Sequence, residues 1–246
     1  MKEGAGILVT RPEPGGAETA ARLAALGFQP ILAPSLVLTP RPVILPRCQA
    51  VLLTSRAGAR ALPAPIPGLP VLAVGGATAA LARAAGWTPV LAAEGNAESL
   101  TALAMKHLDP AGQPLLLAVG AGYALDLAQV LRAAGFRVIR RVAYSAAPAT
   151  RLPEPALAAL SQGSVTTILF HSPRSASCAI TLFRDAGHAA SLARLAAIVI
   201  SPRVASAAAK ALAPLTWREI RIAAAPGEDA LLALLGPGDR TGGATV

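Results

Sequence analysis

The chemistry open to this chain is concentrated where short apolar runs end. The turns there are Thr10-Arg11-Pro12, Thr54-Ser55-Arg56, Val74-Gly75-Gly76, Val119-Gly120-Ala121-Gly122, His171-Ser172-Pro173-Arg174 and Ser201-Pro202-Arg203. Each follows an apolar run and precedes a segment with helical spacing. Ser172 and Ser201 read as N-cap hydroxyls, each followed by a proline, Pro173 or Pro202, at the first helical position. The start of a helix also offers unpaired N–H groups and about half a unit of positive charge to an anion. Arg11, Arg56, Arg174 and Arg203 add full charges. One such turn is explained by capping beside a solvated arginine. The whole set predicts anion binding along the carboxyl ends of parallel strands, where open α/β sheets take their ligands.

Other chemistries have less to stand on. Cys48 and Cys178 show no metal-type spacing, and His107, His171 and His188 form no pair at helical spacing, so neither a metal site nor a disulfide framework is expected. A reducing cytoplasm is the expected compartment. No nucleophile elbow, zinc-protease helix or phosphate loop is present. Gly120 and Gly122 open a dinucleotide-type glycine pattern, but Leu125 stands at its third glycine and Arg140 and Arg141 where an acid belongs. Tyr144 lies in an extended stretch. Its ring packs on a domain edge or, if a cleft opens there, its hydroxyl donates a proton to the ligand. His171 is the other titratable group near the turns, but it aligns with Thr54, so an acid is not required there.

These residues need a scaffold of buried strands. Apolar runs at 7–10, 50–55, 70–74, 114–119, 166–172, 195–201 and 218–224 read as strands covered on both faces. Ala/Leu segments between them read as helices, with Gly27, Gly86 and Gly135 as their terminators. The alternation predicts an α/β fold with parallel sheets. The chain also repeats: residues 7–36 fall on 115–144, VLLTSRAGA on ILFHSPRSA (Ser55 on Ser172), VLAVGGATAALA on IVISPRVASAAA, and AAEGNAESL on AAPGEDALL. Two similar parallel-sheet domains follow. The extended stretches near 33–42 and 141–150 then read as two crossings. One domain would be 1–35 with 148–246, the other 43–141, with linker strands at 36–42 and 142–147.

Composition narrows the partners. Lys and Arg number 22 against 13 acids, a net charge of +9 over 246 residues. The positives are scattered, and aromatics are only 3 %, which leaves little for base stacking, so nucleic acid is not expected. Mean hydropathy is +0.54, yet no apolar run reaches the roughly 18 residues of a spanning helix. The start, MKEGAGILVT, does not read as a signal peptide. An anionic small molecule is the partner this chemistry suits, either as a substrate or as the ligand of a non-catalytic two-domain binding protein.

With ILVTRPEPGGAETAARLAALGF, VLLTSRAGARAL, VLAVGGATAALARAAGW, LLLAVGAGYALDLAQVLRAAGFRVIRRVAYSAAP, ILFHSPRSA and IVISPRVASAAAKA in order, the chain resembles the uroporphyrinogen-III synthase family. The resemblance implies two α/β domains on a two-stranded linker with the active site in the interdomain cleft. It implies cyclisation of hydroxymethylbilane to uroporphyrinogen III, a lyase reaction of tetrapyrrole and heme biosynthesis that inverts ring D, loses water and uses no metal or cofactor. It implies a polycarboxylate tetrapyrrole substrate, a monomer, and hydroxymethylbilane synthase as the enzyme upstream. Tyr144 matches the family's linker tyrosine. Thr54, Ser55, Gly75, Thr78 and Ser172 match positions near its cleft, and binding there is largely through main-chain N–H groups. Arg203 and Val204 stand where threonine is common after Pro202, and His171 replaces a more usual threonine.

Overall fold

A computed structural model describes residues 5–122, 124–236 and 239. The chain divides into two compact units, Met1–Val37 with Ala147–Val246, and Leu38–Ala146. It passes from one to the other twice.

The first unit holds β1 (Gly6–Val9), α1 (Gly15–Ala25) and β2 (Gln29–Leu32). Its later part holds α6 (Glu154–Ser161), β9 (Val165–Phe170), α7 (Pro173–Asp185), α8 (Ala189–Ala193), β10 (Ala196–Val199), α9 (Pro202–Leu212), β11 (Glu219–Ile222) and α10 (Glu228–Leu232). Its five-stranded sheet has the order β11-β10-β9-β1-β2 with every pairing parallel. Every residue of β1, β9 and β10 is buried, because helices cover both faces. Ile7 and Val9 pack with Leu169, Leu23 of α1 and Leu231 of α10 on one face. Leu8 points to the other, with Phe170, Ile180 and Phe183 of α7 and Leu212 of α9.

The second unit holds β4 (Ala50–Leu53), α2 (Arg56–Arg60), β5 (Val71–Ala73), α3 (Gly76–Ala84), β6 (Val90–Ala92), α4 (Ala97–His107), β7 (Leu115–Gly120) and α5 (Leu125–Ala133). β3 (Leu36–Pro40) and β8 (Val138–Pro148) lie where the chain crosses. The six-stranded sheet has the order β3-β8-β7-β4-β5-β6, and the ladders from β8 to β6 are parallel. Val51, Leu53 and Leu116 face α2 and α3, while Leu52, Leu115 and Leu117 face α4 and α5.

The internal repeat is now a relation between sheets. Residues 7–36 become β1-α1-β2, and 115–144 become β7-α5-β8. Pairing β9, β10 and β11 with β4, β5 and β6 then turns one strand order into the other. Gly27, Gly86 and Gly135 end their helices at φ +79, +90 and +91, in the left-handed region that favours glycine. The stretch 142–147 is not a strand of its own: it continues β8, whose pairing with β7 runs from Val138 to Tyr144. The strands β2 and β6 follow helix-ending glycines and are only half covered; β2 opens with Gln29 and Pro30 and lacks the apolar signature of a buried strand, while β6 is apolar but only three residues long.

Candidate active site

In the second unit, β4, β5 and β7 run parallel side by side, so their carboxyl ends share one edge. Ser55, next after Thr54 at the end of β4, is the N-cap of α2, and its Oγ accepts from the Gly58 N–H at 3.1 Å. Gly58 itself lies against β7, since a Cβ there would meet the Ala118 carbonyl at 3.2 Å. Gly75 caps α3, Gly76 opens it, and Gly122 sits in the turn after β7 at φ +78. Thr54 and Arg56 are half-buried. Thr78, in the first turn of α3, is buried, with 5 % exposed.

Tyr144 reaches this edge through an irregularity. Val119 pairs with Val142, but Gly120 pairs with Tyr144, so β8 carries one residue more than β7 here. Such a bulge re-aims the side chain beside it. The extra residue, Ala143, is not wasted: its carbonyl accepts from the Arg41 N–H at 2.8 Å, and that of Tyr144 accepts from Ala121 at 2.9 Å. The phenol then lies 3.2 Å from Ser55 Oγ, with Ser55 donating. Thus Ser55, Gly120 and Tyr144, far apart in the chain, are brought together.

In the first unit the equivalent edge holds Arg11 after β1, His171 to Arg174 after β9, and Ser201 to Arg203 after β10. Ser172 repeats Ser55 closely: both have extended backbones, and Ser172 Oγ accepts from Ser175 N at 3.1 Å. The remaining proton goes elsewhere, however, to Ser175 Oγ at 3.0 Å instead of to a tyrosine. Ser201 stands at the N-cap of α9 but makes no side-chain cap bond. Its own carbonyl accepts from Val204 and Ala205. Arg174 and Arg203 are exposed.

Arg11 does not offer the open charge its position suggests. Its guanidinium donates to Glu228 at 3.0 Å and to Thr19 Oγ1 at 3.3 Å. Glu228 also accepts from Thr19 and lies 3.7 Å from Arg22. No pattern in the sequence ties Glu228 to Arg11, because the partner arrives from the far end of the chain on α10. His171 is likewise not an acid at neutral pH. Burial first, and the Arg11 charge second, push its pKa down to about 4, against an opposing pull from Glu228. Among the described residues no cluster of three or more His, Cys, Asp or Glu could hold a metal, and no helix is long and apolar enough to cross a membrane.

A family model described as HEM4, uroporphyrinogen-III synthase HemD, matches residues 17–233. The chain belongs to the uroporphyrinogen-III synthase family. It therefore carries that family's activity, cyclisation of hydroxymethylbilane to uroporphyrinogen III in porphyrin biosynthesis, and acts on a tetrapyrrole. A uroporphyrinogen-III synthetase from Helicobacter pylori 26695 is similar in fold, with a TM-score of 0.57 at 16 % identity over 95 % of this chain and 98 % of that one. A mutant uroporphyrinogen III synthase from the extremely thermophilic bacterium Thermus thermophilus aligns with a TM-score of 0.49 at 19 % identity, over 93 % of this chain and 96 % of that one. No curated protein sequence matches the chain. Nothing found favours the non-catalytic binding protein.

Proposed function

We propose that Tyr144 supplies the proton with which the hydroxyl of hydroxymethylbilane leaves as water, and that the carboxyl ends of the two sheets hold the substrate carboxylates. The observation that carries this reading is the hydrogen bond from Ser55 Oγ to the Tyr144 oxygen. A bond donated to a phenol oxygen is worth more once that oxygen is negative, so it favours release of the proton. Breaking the C–O bond makes the reaction a hydro-lyase step. The bilane can close unaided to the uninverted isomer, so the protein must fold it for attack at the substituted carbon of ring D, through a spiro intermediate. Orientation and fixed dipoles supply that without a strong base.

Arg174, Arg203 and the helix starts at Ser55, Gly75 and Ser172 are the carboxylate binders in this reading, with Thr54, Arg56, Gly76, Gly120, Gly122 and Ser201 around them. Arg11 and Thr78 hold the scaffold of the site. The chain works as a monomer in the cytoplasm and takes its unstable substrate from hydroxymethylbilane synthase. The test is a turnover assay with hydroxymethylbilane in which the products are oxidised in acid and resolved by isomer. Type III product above the protein-free reaction is expected. Type I alone, formed at the protein-free rate, overturns the reading.

A further inference from the structure

The carboxyl edge of the five-stranded sheet is stocked with donors: guanidinium groups and helix N–H groups. These match carboxylates. A linear tetrapyrrole also carries pyrrole N–H groups, which need acceptors, and among the described residues two candidate acceptors on this edge are already engaged. The Glu228 carboxylate is held by Arg11, Thr19 and Arg22. The Ser172 hydroxyl accepts from Ser175 N and donates to Ser175 Oγ.

His171 is different. The register of β1 on β9 sets Val9 beside Leu169, so Arg11 and His171 follow two residues later on adjacent strand ends. Both ring nitrogens of His171 are buried, and neither has a hydrogen-bond partner among the described residues. A neutral imidazole carries one donor and one acceptor. Burying both unpaired is costly, and costs of this kind persist where a site needs the group. The neighbouring Arg11 charge and the burial itself keep the ring uncharged at neutral pH, so its acceptor lone pair is retained.

We propose that His171 is a substrate-positioning residue whose neutral imidazole accepts a hydrogen bond from a pyrrole N–H of the linear tetrapyrrole. The inference rests on the synthase reading above and extends it to a contact made by this chain's own histidine.

Two variants and one spectrum test it. His171→Phe keeps the ring shape and removes both nitrogens, while His171→Gln restores a donor and an acceptor. His171→Phe is expected to raise KM about tenfold, one hydrogen bond's worth, with kcat largely retained. His171→Gln should recover most of that loss. The Tm of His171→Phe should equal or exceed that of the wild type, since two unpaired buried nitrogens are gone; a merely structural histidine would lower it. In wild-type protein labelled with 15N-histidine, uroporphyrinogen III added under argon should shift the His171 ring signals and leave those of His107 and His188 in place. An unchanged KM in His171→Phe, or His171 signals that stay fixed at saturating product, overturns the proposal. Failure of the synthase reading is a separate result, seen as wild-type protein that makes no type III isomer.

Discussion

Tyr144→Phe removes one oxygen and leaves the ring on the cluster of Val51, Leu53 and Leu116 that it packs against. If the phenol assists departure of the hydroxyl, kcat falls about 10²-fold, the lower end for general acid catalysis. The ratio of type III to type I product holds, because folding of the bilane does not depend on the proton. Isomer-resolved turnover checks both halves. Scrambled isomers at normal turnover would make Tyr144 a positioning group instead. Ser55→Ala should cut kcat by less and cost about 1 kcal/mol of stability, the worth of its N-cap bond, read by urea unfolding. His171 gives the pH dependence. Unfolded, it takes a proton near its ordinary value of 6.5; folded, only near about 4. Between those values the unfolded chain binds the extra proton, so stability falls as pH falls from 6.5 toward 4 and is flat above 7. Each pH unit in that window costs up to about 1.4 kcal/mol. Arg11 opposes the proton and Glu228 attracts it. The difference in urea midpoint between His171→Phe and wild type should therefore be constant above pH 7 and widen in acid.

At the scale of elements, two arginines with the same apparent role part company. Arg11 joins the end of β1 to α1 through Thr19 and to α10 through Glu228, with only 19 % of its side chain exposed. Arg11→Ala strands a half-buried carboxylate and should cost about 2 kcal/mol of stability, seen as a lower urea midpoint, with KM little changed. Arg174, exposed in the first turn of α7, should do the reverse: a few-fold rise in KM, about 0.3–1 kcal/mol, at unchanged stability. If Arg11→Ala instead raised KM alone, Glu228 would have to release it to the substrate. A second clamp ties Asp239 to two strands of the same unit. Asp239 is 1 % exposed, accepts from Thr167 and pairs with Arg221 at 2.7 Å. The strand ends, the cap at Ser172 and the helix-ending glycines were legible in the sequence, because each is set by neighbours along the chain; Ser201 takes the N-cap position expected of it without the side-chain bond. The Arg11–Glu228 pair was not, because it is made between elements at opposite ends of the chain. Nor was the bulge that aims Tyr144, which turns on whether Ala143 pairs with β7 or with Arg41.

For the whole molecule, the net charge of +9 meets a polycarboxylate, so the attraction is long-ranged and screened by salt. KM should climb steadily from 0.05 to 0.5 M potassium chloride while kcat is kept; a salt-independent KM would mean that binding is not led by charge. The existence of two units was legible from the repeat; the interruption of one of them was read instead from the extended stretches near 33–42 and 141–150, because the repeat alone fits two continuous domains equally well. The same interruption bears on how the chain is made. The second unit, Leu38–Ala146, is continuous and can close as soon as it emerges. β1 cannot: in its sheet it lies between β2 and β9, and β9 begins at Val165. At about 5–20 residues per second, roughly 8–30 s of synthesis separate the two strands. Throughout that interval Ile7, Leu8 and Val9 have no sheet to complete on one side. β1 is thus made long before the strand that completes its sheet, and the nascent chain has most need of a chaperone there.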